Sequence, residues 1–138
     1  MADVTQTPAD VELGGGGAVA SRVTLGATLV QGDVVYKDTA SANKMKAADA
    51  DAGTELEATV EGIMLTSGAD AGSGYVVTSG PMNVGGTLVQ GTIYVLSGAA
   101  GKIAPAADLT TGDRVTILGV ASSTSILEVK IQNTGIVF

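Results

Sequence analysis

Cysteine, histidine and tryptophan are absent from this chain, and each absence removes a class of chemistry. Without cysteine there is no disulfide, no thiolate nucleophile and no Cys-based metal site. Without histidine the usual general base and commonest metal ligand near neutral pH is missing. Aromatics are scarce: Tyr36, Tyr75, Tyr94 and Phe138 are the only four in 138 residues. Aromatic side chains bury the most area per residue, so a core of Val, Ile, Leu and Ala is thin. Part of the apolar surface is therefore expected to be buried between subunits. No apolar run approaches the roughly 20 residues of a membrane-spanning helix. No N-terminal segment resembles a signal peptide, and synthesis and use without Sec export is the expectation. Positive charge is sparse as well. Seven basic residues face 14 acidic ones, for a net charge of -7, and the Lys and Arg residues never cluster. Nucleic acid requires a cationic face, so it is an unlikely partner on charge alone, and so is an anionic membrane.

Glycine, by contrast, is abundant, with 20 residues. Four of them, Gly14 to Gly17, interrupt a segment unlike the rest of the chain. Residues 1–20 have a polar start, Pro8, a short alternating piece around Val11 to Leu13, and then the glycine run. Consecutive glycines carry maximal backbone entropy and no side chain to pack. The segment reads as a flexible N-terminal arm on a hinge, with a plain disordered tail as the alternative. Its Val4, Thr5, Val11 and Leu13 would form a short strand where a partner supplied an edge.

Residues 21–138 read as one β domain with an internal repeat over 26–80 and 85–134. The pentapeptide TLVQG occurs at Thr28–Gly32 and again at Thr87–Gly91. Asn43-Lys44-Met45 then matches Gly101-Lys102-Ile103, and Val60-Glu61-Gly62-Ile63 matches Ile117-Leu118-Gly119-Val120. The first half predicts strands at Thr28–Val30, Val34–Lys37, Lys44–Lys46, Thr59–Leu65 and Tyr75–Thr78. The second predicts them at Thr87–Val89, Ile93–Leu96, Lys102–Ala104, Arg114–Val120 and Leu127–Gln132. Helical signals are poor; the Ala- and acid-rich stretch 47–58 is broken by Gly53 and reads as a loop. The fold class implied is all-β, a small barrel or sandwich of two tandem similar halves with an extended N-terminal arm.

Candidate chemistry is thin. Asp49, Asp51, Glu55 and Glu57 do not have the spacing of an EF-hand loop and read as a solvated acidic loop. The Gly-rich segment 68–74 lacks the Lys-Ser/Thr ending of a phosphate-binding loop. Lys44-Met45-Lys46 has a superficial likeness to the hairpin lysine of biotinyl and lipoyl carrier domains, with the Met and Lys order inverted. Hence no catalytic residue, cofactor or metal is expected. The chain closes on Ile136, Val137 and Phe138, and an apolar end points to docking on the domain or on a neighbouring chain.

In the second half a Thr-Leu-x-x-Gly step leads into Ile93-Tyr94-Val95-Leu96. Gly101-Lys102-Ile103, Pro105, Leu109, Gly112-Asp113-Arg114, Leu118-Gly119-Val120-Ala121 and Leu127-Glu128-Val129 follow. Gly32-Asp33-Val34-Val35-Tyr36 and Val60-Glu61-Gly62-Ile63 are their counterparts in the first half. Over roughly residues 20–134 this order resembles the small capsid decoration, or cement, proteins of tailed bacteriophages. The resemblance implies a β-rich homotrimer on the outer surface of the virion, assembled in the host cytoplasm, that clamps neighbouring major capsid protein subunits. It also implies an arm that adds a strand to the capsid protein, here through Val4, Thr5, Val11 or Leu13, and a subunit interface that includes Ile136, Val137 and Phe138. The competing expectation is a carbohydrate- or receptor-binding module of a head fibre or adhesin, which the shortage of aromatics disfavours.

Overall fold

The computed structural model describes residues 3–138; Met1 and Ala2, at the head of the expected arm, lie outside the described residues. The chain is nearly all β, with no α-helix among the described residues. Ten strands run in chain order as β1 (Val11–Leu13), β2 (Val19–Thr24), β3 (Val34–Asp38), β4 (Lys44–Ala47), β5 (Val60–Met64), β6 (Ser73–Val84), β7 (Ile93–Leu96), β8 (Ile103–Pro105), β9 (Arg114–Ala121) and β10 (Ile126–Val137). They form a single curled antiparallel sheet in the order β4-β3-β5-β6-β10-β9-β7-β8, with β1 and β2 also on β6.

Strands β3 to β6 and strands β7 to β10 take the same order on either side of the central β6–β10 pair. The registers match in detail. Val35 faces Gly62 on β5, and a bulge follows before Tyr36 faces Val60. Tyr94 faces Gly119 on β9, and a bulge follows before Val95 faces Ile117. The hairpins match too, with Val35 opposite Ala47 and Tyr94 opposite Pro105. Both copies of TLVQG end in a glycine of positive φ, Gly32 at 90° and Gly91 at 84°. A side chain at either place would be strained, and this turn delivers the chain into β3 and β7.

The predicted strands at Thr28–Val30 and Thr87–Val89 are not strands. Leu29 makes only an isolated bridge to Gly68. Its side chain and that of Leu88 are buried as single apolar anchors between turns. The Val30 amide donates to the Asp33 carboxylate at 3.0 Å, and the Val89 amide donates to the Tyr94 hydroxyl at 2.9 Å. Side-chain acceptors of this kind compete with a ladder for the backbone. β6 and β10, conversely, are twelve residues each and much longer than the short runs expected.

Most of the core lies inside the curl and includes Val34, Tyr36, Ile63, Val77, Met82, Tyr94, Leu96, Leu118 and Leu127. A smaller cluster covers the outer face of the first half, where Leu25 and Leu29 seal Val35, Met45, Met64 and Val76. β3 is thus buried on both faces, which is why it reads as a continuous apolar run rather than an alternation. β6 serves the main core twice, through Val77 and through Met82 and Val84. Val77 and Met82 are five positions apart and would face opposite ways in a regular strand. The register against β2 slips between Val19–Ser79 and Ala20–Val77, and this bulge restores the inward direction. Opposite the β6–β10 seam the chain after β4 ties the halves together. The Gly101 amide donates to the Ala48 carbonyl at 2.7 Å, and the Ala50 amide to the Ser97 carbonyl at 3.1 Å.

The two bulge glycines are sites of close approach. A Cβ at Gly62 would sit 2.8 Å from the Val77 carbonyl oxygen, and one at Gly119 would overlap the Glu128 carbonyl oxygen. Both obstacles are backbone and cannot rotate away. Gly119→Ala and Gly62→Ala are expected to cost about 1–3 kcal/mol each, read as a lower urea midpoint at unchanged slope. Gly16→Ala, where nothing lies within 4 Å, should leave the midpoint within about 0.5 kcal/mol of the parent.

Candidate docking surfaces

No group of three or more Asp, Glu, His or Cys side chains is placed to hold a metal ion among the described residues. The acidic loop is occupied with its own turns. The Asp51 amide donates to the Asp49 carboxylate at 2.8 Å, and the Asp49 amide donates to the Glu57 carbonyl at 2.9 Å. Lys44-Met45-Lys46 lies within β4, with Met45 buried, and is not an exposed hairpin tip. Lys46 is committed elsewhere. Its ammonium lies 2.8 Å from the Asp38 carboxylate and donates to the Ser41 hydroxyl at 3.3 Å. The Lys46 hydrogen bond holds the Asp38 carboxyl below the usual range, and Asp38 raises Lys46 in return. The neighbouring Tyr36 hydroxyl is pushed up, mainly by burial.

The segment expected to be a free arm is laid along its own domain. The Val4 amide donates to the Ile103 carbonyl at 2.8 Å, and the Thr7 amide to the Gly85 carbonyl at 2.7 Å. The Gln6 side chain donates to the carbonyls of Gly32 and Val84 at 3.2 and 2.8 Å. β1 then pairs with the end of β6, Val11 opposite Val84 and Leu13 opposite Met82. Of the four arm residues singled out, Val11 is 4% exposed and part of the main core. Val4 is half-buried against that core, whereas Thr5 is exposed and Leu13 is 46% exposed. A chain so poor in aromatics leaves its core open at the end of β6, and two valines of the arm close it. The hinge is likewise not free throughout: the Gly14 amide donates to the Pro81 carbonyl at 2.8 Å.

The C-terminal residues are ordered and uncovered. Beyond Lys130 the strand β10 leaves β6 and pairs only with β9, Gln132 opposite Ile117 and Val137 opposite Arg114. The Phe138 amide donates to the Asp113 carbonyl at 2.7 Å, and its own carbonyl accepts from the Gly112 amide at 2.9 Å. On the other edge the Asn133 side chain caps β5. It accepts from the Val60 amide at 2.8 Å and donates to the Val60 carbonyl at 3.2 Å. Past that cap no strand among the described residues pairs with the outer edge of β10. Ile136, Val137 and Phe138 are 62%, 53% and 57% exposed on this stretch. A second exposed apolar group, made of Val and Ile side chains on an outer strand face as the sequence led one to expect but at positions it did not single out, lies on the second half. Ile93 and Val120 stand directly opposite each other there, with Val89 on the turn before β7. The signal available in the sequence was the departure from alternation across the Gly119 bulge.

Two measurements test this description. Val11→Ala should cost roughly 1–3 kcal/mol, since it opens a core position. Leu13→Ala should stay within about 0.5 kcal/mol; a free arm would make both substitutions silent. Asp38 supplies a pH test. Its folded pKa is depressed, so its contribution is complete above the ordinary value of 3.8 and is lost as pH falls through the lower folded value. Lys46 is the reverse case: its share is complete below 10.5 and disappears as pH rises through the raised folded value. Asp38→Asn should therefore unfold at lower urea than the parent at neutral pH, and the gap should close well below pH 3.8. A gap that persists in acid would show that the ion pair contributes nothing.

No protein-family model matches the chain and no curated protein matches it in sequence, which leaves the function to be argued from these surfaces.

Proposed function

We propose that this chain is a capsid decoration protein, a non-enzymatic module that sits on the outer surface of a viral head and braces contacts between major capsid protein subunits. The observation that carries the reading is the C-terminal strand, held in register by β9 yet bearing three large apolar side chains in the open. Within the monomer the strand gains its backbone bonds to β9 but leaves those side chains unburied. A bare edge with apolar side chains is a template for pairing with another chain. Ile136, Val137 and Phe138 form the contact between copies in a homotrimer, and the outer face around Ile93 and Val120 lies against the shell. Three equivalent contacts raise effective concentration, so individually weak patches suffice. The acidic body, at -7, suits a protein needed in many copies at once. The head-fibre or adhesin alternative loses ground, because Tyr36 and Tyr94 are buried and only Tyr75 and Phe138 remain as exposed aromatics.

The test adds the protein to expanded, undecorated shells of the virus that encodes it and measures occupancy by co-sedimentation and cryo-electron microscopy. The parent should saturate defined surface sites. The double variant Ile136→Asp, Phe138→Asp keeps the backbone bonds to β9 and to Asp113, so it should stay folded. Its attachment should weaken by about 100-fold or more as avidity is lost. Failure of the parent to bind the shells, or equal occupancy by the variant, would overturn the reading.

A further inference from the structure

The end of β6 is a built receptor for an extended strand. Three glycines form its walls where residues 5–7 pass. A Cβ on Gly85 would sit 2.5 Å from the Thr7 carbonyl oxygen, one on Gly86 would sit 2.5 Å from that of Thr5, and one on Gly32 would sit 2.7 Å from the Gln6 amide nitrogen. The site has anchors at both ends, the Val4 amide on Ile103 and the Val11 side chain in the core. Between them the Gln6 amide donates to two main-chain carbonyls, those of Gly32 and Val84.

The tether to this strand is longer than its path. Leu13 lies opposite Met82 and Val19 opposite Ser79, so residues 14–18 span only positions 80 and 81 of the partner strand. Within that tether Gly16 and Gly17 have nothing within 4 Å of where a side chain would be. β2, by contrast, is fixed to β6 over its whole length, from Val19 to Thr24. Residues 3–13 are thus a terminal plug joined to the body by a glycine tether that is held at Gly14 by the Pro81 carbonyl and rests on Gly80 through Gly17 and Ala18, and β2 is where the body begins.

We propose that the arm is exchanged between copies: residues 3–13 of one chain leave their own β6 and fill the same groove on a second chain. The occupant is a second copy because the groove fits this segment. Gly-walled clearance for residues 5–7, a pocket for Val11 and paired acceptors for Gln6 match the arm of any copy, and no unrelated chain has to share that pattern. The closed and exchanged states contain the same contacts, so exchange costs little beyond association itself. Assembly that brings copies side by side meets that cost through effective concentration. This inference goes beyond the decoration reading and does not rest on it, since it is measured in solution without capsids.

The absence of cysteine makes the test direct. Glu12 and Asn83 stand opposite each other in the β1–β6 register. Two full-length single variants, Glu12→Cys and Asn83→Cys, are prepared separately, mixed, incubated and treated with a short thiol-to-thiol crosslinker. Arm exchange yields a covalent heterodimer on a denaturing gel, identified by mass. Glu12→Cys mixed with Ala52→Cys, a position on an exposed loop, reports random collision and should give no such band. In the double variant, exchange gives covalent dimers and higher species, whereas a permanently closed arm gives only internally bridged monomers. Heterodimer no greater than the collision control, together with exclusively monomeric product from the double variant, would overturn the proposal. The capsid-binding result is unaffected by either outcome, so the two readings fail separately.

Discussion

The antiparallel ladder along β6 is the constraint on which the rest of the molecule depends. Twelve consecutive residues present carbonyls and, at all but Pro81, amides on two edges, and buried backbone groups of this kind must be paired. One edge is shared by β5 and β10, which joins the two halves of the sheet. The other is taken by β2 and then β1, so the N-terminal segment closes what would otherwise be an open edge. A free arm would leave the second half of that ladder unpaired over Met82 to Val84, where the strand also faces the core.

The composition of the core explains why the arm is drawn in. With Tyr36 and Tyr94 as its only aromatics, the core depends on many small apolar contacts rather than a few large ones. Close backbone approach compensates. Glycine at 62 and 119 lets neighbouring strands come nearer than any side chain would allow, and the bulges beside them turn Ile63 and Ala121 inward. Such packing leaves little redundancy. Val11, contributed from a three-residue strand, fills a position that the domain body does not cover.

The same ladder logic separates the two chain ends. The N-terminal strand lies between its own β6 and the end of the core, with Val11 turned in and Leu13 exposed. The C-terminal strand has one edge satisfied by β9 and one open, with its apolar side chains turned out. This asymmetry is the physical basis for the proposal that the protein is an assembly component. Among the polar groups, Asp38 and Lys46 satisfy each other beside the β3–β4 hairpin, and in the acidic loop the Asp49 carboxylate accepts from the Asp51 amide.

Local pattern alone determined the all-β character and the Ile93–Leu96 strand to the residue. These are set by alternation, β-branched content and glycine position, all of which act over a few residues. TLVQG was legible as a repeat but misread as strand, because Leu29 and Leu88 are buried as isolated anchors and only the surrounding turns reveal it. The apolar run Ile136 to Phe138 was legible as a docking segment, but whether it packs on the domain or stands exposed was decided by the pairing of β10 with β9 alone. Tertiary structure alone decided the fate of residues 3–13. Their composition and glycine run fit a loose tail equally well. Whether such a segment docks depends on an edge and a cavity at Met82 to Gly86, some 70 positions further along the chain, which no local pattern encodes.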